Sequence, residues 1–484
     1  MKKYFLVIVY LGLVLTFFIP PAGNAENLKP GHALRADSGK VNTALGNRYE
    51  SFSLERCIAI ALEKNPEIAA VQWDVAAAGS RYAAARAAFW PQLNAEGAYQ
   101  RHTDSQRLLQ ARYNGEVGAF DNDLLRGDLI AKLNLYAGGR MINEAAAVGR
   151  LAEAEKKRLI RTRDELIYSV AAVYYSILGQ KQIISSLEFS KQALDENLKR
   201  TTQLYEARKA AKVDVLRMQV RLSDLGQNLI REKNVFSIQY RILFGLMGYD
   251  AVPDAVSFEG KLGIPFEPLV EVSSLIETAL KNRPDYLAAK ERVAAQSLKV
   301  SAAKAGHWPN INLVGAYGVR SAPNPEDVGI DAGSTENTGS VGVVLTIPLF
   351  DGGQISAKVR EEAAILLAAR ERLKKMDLQI RQETETAAVD VISHAERVRA
   401  TEKAIEQAKE SFRIESLKYE MGKGLLTDML DAQSAQLLSE TTHFRACTDY
   451  YAAMAKLRLA TGERMKPSNQ LNNGRQPELR GRYK

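Results

Sequence analysis

The chain of 484 residues is poor in the residue types from which reactive sites are built. It holds only two cysteines, Cys57 and Cys447, both in helical patterns and hundreds of residues apart, so two buried free thiols are expected rather than a disulfide framework. Its five histidines (His32, His102, His307, His394, His443) are scattered. No His-Glu-x-x-His, paired cysteine ligands or phosphate-cradling glycine loop occurs. An enzyme is therefore disfavoured, and no catalytic residue, cofactor or metal is expected. Long apolar runs are equally scarce. The one stretch, Tyr4 to Ile19, follows Lys2 and Lys3 and precedes Pro20, Pro21 and the small-residue site Gly23-Asn24-Ala25, which is the layout of a secretory signal over 1–25. It is shorter than the roughly 18 to 20 residues that span a bilayer. The rest of the chain has no candidate membrane helix, so any membrane entry must be made by strands.

Charge of one sign is also missing from the body of the chain. The net charge is +8, but two lysines lie in the first three residues, and 463–484 carries six basic against two acidic side chains. The basicity belongs to the ends, and the tail 463–484 reads as disordered. No nucleic-acid surface is implied.

What is present is a tandem repeat. Residues 61–99 match 279–317 without a gap at an offset of 218: Pro66 with Pro284, Trp90-Pro91 with Trp308-Pro309, Gly97-Ala98-Tyr99 with Gly315-Ala316-Tyr317. From Gly138-Gly139 and Gly352-Gly353 onward the offset is 214, through Tyr205/Tyr419, Asp214/Asp428 and Gly248/Gly462. After a polar lead-in at 26–50, two units of about 200 residues, 51–248 and 272–462, are joined by a linker at 249–271. In place of the three domains that this length suggests stand two copies of one unit.

Each unit reads helix, strand, loop, strand, long helix, return helix. In the first, a helix over about 52–88 ends at Trp90-Pro91, since proline biases its predecessor away from helix. Period-two alternation predicts half-buried strands at about 92–101 and 127–136, and at about 310–320 and 339–349 in the second copy. Gly138-Gly139 and Gly352-Gly353 supply the sharp turns back into helix. Long helices follow at about 141–208 and 354–421, with seven-residue columns such as Leu159, Leu166, Val173, Leu187 and Leu194. Return helices are expected at about 213–247 and 426–460. Four amphipathic strands cannot close alone, because an open edge in lipid leaves backbone groups unpaired. Two copies of the chain would make eight strands with a filled lumen, and three would make twelve around a channel. Trp90, Trp308, Tyr136 and Phe350 at the helix-proximal strand ends read either as an interfacial aromatic girdle or as ordinary packing aromatics.

The duplication, the Trp-Pro start of each first strand, the Leu135 to Gly139 and Pro348 to Gly353 exits, and the run Tyr419-x-x-Gly422-x5-Asp428-x-Leu430-Asp431-Ala432-Gln433 together resemble the TolC-type outer membrane efflux proteins. The resemblance covers roughly 52–462. It implies a mainly α protomer that contributes four strands to a shared 12-strand β-barrel and its helices to a 12-helix α-barrel. The resemblance further implies a homotrimer in outer-membrane lipid with helices in the periplasm. Its implied partners are a periplasmic adaptor (membrane fusion) protein and an inner-membrane pump of the resistance-nodulation-division or ABC type. The implied activity is that of a passive exit duct for efflux or type I secretion. By the same resemblance, Asp428 and Asp431 form the constriction of a periplasmic gate, and Tyr419 with Asp214 forms a link that closes it. A second family link, arginine to threonine, would fall on Gly424 and Val213, which cannot make it. The first tip also departs from the family, reading Ala207-Arg208-Lys209. Lys209 and Lys212 would pair with acidic adaptor groups or with Asp428, or stay solvated. Two solvated helix carboxylates remain the plainer reading of Asp428 and Asp431. The rival to a duct is a periplasmic coiled-coil scaffold or adaptor, which would have no use for the alternating strands.

Overall fold

In a computed structural model, residues 50–251, 256–260, 262, 271–325 and 335–463 are described. The expected signal, nearly all of the lead-in and the basic tail, and much of the linker lie outside them. Asn65-Pro66 breaks the first helical stretch, since Pro66 has no amide hydrogen to continue it. The single helix expected over about 52–88 is thus two, α1 (Leu54–Lys64) and α2 (Pro66–Ala87), with Asn65 capping the second by accepting from the Glu67 and Ile68 amides. There follow β2 (Gln92–Arg107), β3 (Phe120–Ala137), α3 (Arg140–Glu206) and α4 (Lys212–Leu246). The second copy repeats the order as α5 (Val272–Asn282), α6 (Pro284–Lys304), β5 (Asn310–Ser321), β6 (Thr335–Thr346), α7 (Gln354–Glu420) and α8 (Leu426–Thr461).

The strands depart from their expected bounds at the loop ends. β2 runs on to Arg107 and β3 starts at Phe120, across a register shift between Arg101 and Gln106. Both faces of these outer segments carry polar side chains, so the alternation disappears while the backbone ladder continues. β6 lies nearer the loop than expected, at Thr335–Thr346, and Pro348 cannot donate to a longer ladder. One pairing left no periodic signal, because its strands have three residues each. β1 (Glu50–Phe52) lies parallel to β4 (Val256–Phe258), and the Tyr174 hydroxyl donates to the Phe52 and Glu259 carbonyls beside them.

β2, β3, β5 and β6 form one antiparallel sheet in that order, with β2 and β6 at its edges. Residues facing each other across the ladders share a side of the sheet. Leu93, Tyr99, Leu129, Tyr317, Val341 and Val343 fall on one side and all are exposed. The opposite side carries Gln92, Asn94, Glu96, Lys132 and Asn312, and Asp128 there is clamped by Arg320 (2.6 Å) and Arg126 (3.2 Å). Gly318 makes room for that carboxylate, since a Cβ there would lie 2.1 Å from Asp128 Oδ1.

α3 and α7 are each 67 residues long, about 100 Å at the usual rise. Each copy flanks its long helix with two shorter ones that meet end to end near mid-length. α3 packs against α2 and α6 in its sheet-proximal part and against α4 and α8 beyond. Asn65 bridges the first joint, its Nδ2 donating to the Leu246 carbonyl at the end of α4 (2.9 Å). At the equivalent second joint stands Arg283, buried, reaching the Ala460 carbonyl (3.5 Å), Asp285 (2.7 Å) and Glu383 (2.7 Å). Apolar clusters lie beside the joints, around Phe52, Val170, Ile177 and Phe244 in the first copy and Leu275, Val391, Val398 and Tyr450 in the second. Cys57 and Cys447 sit one in each cluster as free thiols, which burial pushes up to about 12 and about 11.

Arg283→Ala leaves the buried Ala460 carbonyl and the partly buried Asp285 without their cation and is expected to cost about 2 kcal/mol, read as a lower midpoint of thermal unfolding. Asn65→Ala at the matching joint is expected to cost about 1 kcal/mol. Burial alone would raise the Asp285 pKa, but the Arg283 hydrogen bond and the charges of Arg161 and Arg283 outweigh it and hold the carboxyl below its usual 3.8. A depressed folded pKa means that the Asp285 contribution is complete above about pH 4 to 5 and drains as the pH falls through the folded value. Asp285→Asn should flatten the acid limb of a melting-temperature profile.

Candidate functional site

At the end of the molecule remote from the sheet, each hairpin turns in five residues, 207–211 between α3 and α4 and 421–425 between α7 and α8. Both turns close with the same bonds: Lys209 N–H to the Leu204 carbonyl (2.7 Å) and Lys423 N–H to the Lys418 carbonyl (2.9 Å). This helix stop needs a left-handed residue. Gly422 supplies it at φ 68°, and at the equivalent place in the first tip Arg208 is forced to φ 59°.

The two tips are held side by side by Leu194 and Met218 of the first hairpin packed on Leu426, Met429 and Leu430 of the second, with Tyr419 at the margin. Four polar contacts cross between the hairpins beside this small core, one of them from Gln433 Nε2 to the Ser190 carbonyl (3.5 Å). Arg200 meets Glu420 (3.8 Å), the Thr201 hydroxyl meets that of Tyr419 (3.5 Å), and Arg221 Nη2 meets Asp431 Oδ1 (3.2 Å).

Asp428 lies in the first turn of α8, where its Oδ1 accepts from the Thr427 hydroxyl (3.4 Å), and it makes no ion pair among the described residues. Asp431 lies one turn further along the same helix. Tyr419 and Asp214 are not joined within the protomer: Tyr419 faces Thr201 on α3, while Asp214, opening α4, turns to Arg217 one turn on (3.9 Å). Lys209 and Lys212 form no ion pair among the described residues, with Asp428 or otherwise. Gly424 has no room for a side chain as placed, since a Cβ would lie 2.9 Å from that of Lys418. Arg200, Thr201 and Arg221 are tip residues that sequence reasoning missed, and nothing local distinguishes Arg221 among 65 lysines and arginines.

At the other end of the long helices, the glycine pairs turn strand into helix at φ 63° and 84° (Gly138, Gly139) and 65° and 85° (Gly352, Gly353). Trp90-Pro91 and Trp308-Pro309 lie at the helix-to-strand turns, with both indoles exposed. Trp308 covers Gly138, where an added Cβ would lie 2.5 Å from its own. Phe350 is exposed and Tyr136 partly so, at the same level.

A sheet with an apolar face turned outward, raised on two long helical hairpins with carboxylates near their tips, defines a protomer of the membrane-channel class. A profile described as outer membrane efflux protein matches residues 57–248 and 275–463, and the chain belongs to that family. The two matched blocks are the two copies. Among curated relatives, the chain is 23% identical to outer membrane protein TolC of Vibrio cholerae over 425 residues, covering 87% of this chain and 94% of that one. It is 27% identical to outer membrane protein OprJ of Pseudomonas aeruginosa over 462 residues, 91% of each. The fold is shared with a membrane protein from Pseudomonas aeruginosa (TM-score 0.72, 22% identity, 84% of this chain and 92% of that one). It is shared also with the CmeC outer membrane channel of Campylobacter jejuni (TM-score 0.73, 15% identity, 84% and 85%). The chain is thus an outer-membrane efflux protein whose helices extend into the periplasm, in a family of channels rather than of enzymes.

Gly422→Ala is expected to strain the second tip by about 1 kcal/mol. Hydrogen exchange at the Lys423 amide should quicken roughly fivefold. Arg208→Gly should slow exchange at Lys209, and no change in either variant would refute the left-handed assignment.

Proposed function

We propose that three copies of this chain close into one duct, a barrel of twelve strands continued by a tunnel of twelve helices. Substrate would pass outward through it passively, delivered by a periplasmic adaptor and an inner-membrane pump. The observation that carries this reading is the sheet, which combines an exposed apolar face with two open edges, β2 and β6. Unpaired edges are untenable in lipid. A second copy provides them with partners of the right geometry, because the two halves of the sheet are equivalent. Gln92 faces Lys132 and Asn310 faces Thr346, the same register in both repeats. If β6 meets β2 of the next copy as β3 meets β5, where Leu129 faces Tyr317, then Val343 faces Tyr99 across the join. Trp90 would then cover Gly352 as Trp308 covers Gly138, and among the described residues nothing lies within 4 Å of the Gly352 Cβ position. Three copies rather than two are favoured because eight strands leave a lumen filled by side chains and twelve leave a passage.

The helices support the same association. α4 packs chiefly on α3 and carries an exposed row of Val213, Leu216 and Val220 continued by Ile230, Ile238 and Ile242, which suits a helix of a second copy. At the tips, Asp428 and Asp431 would come together around the axis and narrow the passage, attracting cations. Relatives named for antibiotic and toluene efflux favour small molecules over secreted protein as cargo. A soluble coiled-coil scaffold would leave the apolar sheet face without purpose.

Cysteine pairs at Val343/Tyr99 and at the neighbouring Val344/Ala98 test the ring. Successive facing pairs alternate between wide and narrow spacing, so one of the two should suit a disulfide. Oxidation is expected to give three-chain species on denaturing gels, and two-chain species alone would refute the trimer. In planar bilayers the protein should form channels, and Asp428→Ala should weaken block by multivalent cations. Absence of channel activity in protein that fractionates with the outer membrane would refute the duct.

A further inference from the structure

Building on the reading of the tips as the narrow end of the duct, we propose that Arg221 sets the charge of that end. It neutralises Asp431 of its own protomer, leaves Asp428 as the free carboxylate, and bolts the first hairpin to the second.

Several observations converge on Arg221. Its Nη2 lies 3.2 Å from Asp431 Oδ1 across the hairpins, and the two side chains are 43% and 74% exposed. Its neighbour one turn earlier, Arg217, is turned to Asp214 at 3.9 Å, so α4 offers the second hairpin one guanidinium here rather than two. Among the described residues, Asp428 has only the hydroxyl of the adjacent Thr427, at 3.4 Å. The two carboxylates that the sequence makes alike are thereby made unlike by the fold, one paired and one free. Arg221 supplies a cationic tie between the hairpins, the base standing on the first and the acid on the second. The consequence is a coupling between charge and opening. Any movement that parts α8 from α4 breaks this pair, and the mouth then gains one free carboxylate per protomer as it widens.

Purified full-length protein in planar bilayers, with hexamminecobalt(III) as the blocking cation, tests this. Arg221→Gln is expected to raise conductance and to tighten block about two- to fivefold, the range that exposed ion pairs deliver. Asp431→Asn, which frees the Arg221 cation instead, is expected to raise conductance and to weaken block, an opposite response in block that a merely structural role would not produce. The charge swap Arg221→Asp with Asp431→Arg should return both quantities toward wild type. Block unchanged or weakened in Arg221→Gln, or a swap that fails to restore, overturns the proposal. Asp428→Ala separates the two levels. If it weakens block while Arg221→Gln does nothing, only the role of Arg221 falls. If it leaves block unchanged, the constriction itself lies elsewhere.

Discussion

Backbone hydrogen bonding in an apolar medium is the constraint on which the rest of this structure depends. Within lipid every amide and carbonyl needs a partner inside the protein, and a sheet of four strands satisfies only its three internal ladders. Duplication makes the two edges compatible with one another, because each half of the sheet has the same register. A chain so built can serve as its own neighbour. The glycine pairs matter for the same reason. In the first copy Gly138-Gly139 lets the strand ending at Ala137 enter helix at Arg140, and in the second Gly352-Gly353 closes a connection of seven residues from Thr346 to Gln354.

The helical part faces a different difficulty. A helix of 67 residues with little net amphipathicity gains its stability from packing along its whole length, and the protein provides this with shorter helices joined end to end. Each joint exposes helix-terminal carbonyls and amides that need partners. Asn65 meets this need as a neutral amide bridging two helix ends. Arg283, in the same place in the second copy, meets it as a buried cation with two acids around it. Equivalent positions thus carry different chemistry for one geometric task, and the Asp285 partner of Arg283 makes the second joint sensitive to acid.

The tips are the counterpart of these rigid ends. Their shared apolar core is small, and the polar contacts between hairpins beside it are two exposed ion pairs, one part-buried hydroxyl pair and one amide-to-carbonyl bond, individually weak. Such a region sits at the low end of local stability. Arg208 in a left-handed conformation adds a strain that Gly422 spares the other tip.

Much of this was legible in the sequence because it is written in short-range patterns. The repeat, the Trp-Pro and Gly-Gly punctuation, the alternation of the strands and the seven-residue columns of the helices each depend on residues that are near one another or related by a constant offset. The membrane-facing side of the sheet follows from period two alone. The β1–β4 pairing, the break at Asn65-Pro66 and the extension of the strands past the apolar zone were not read, since they leave no periodicity or depend on a distant helix end. The tip was half legible: Asp428 and Asp431 stand out by motif, but their unequal partners do not. Sequence by itself determined the duplicated strand-and-hairpin unit and the carboxylates at its tip. Only the tertiary structure decided that Asp431 meets Arg221 while Asp428 stays free and that Tyr419 faces Thr201. The pairing of Arg221 with Asp431 spans 210 residues of chain. It exists only because two hairpins, each complete in itself, pack side by side.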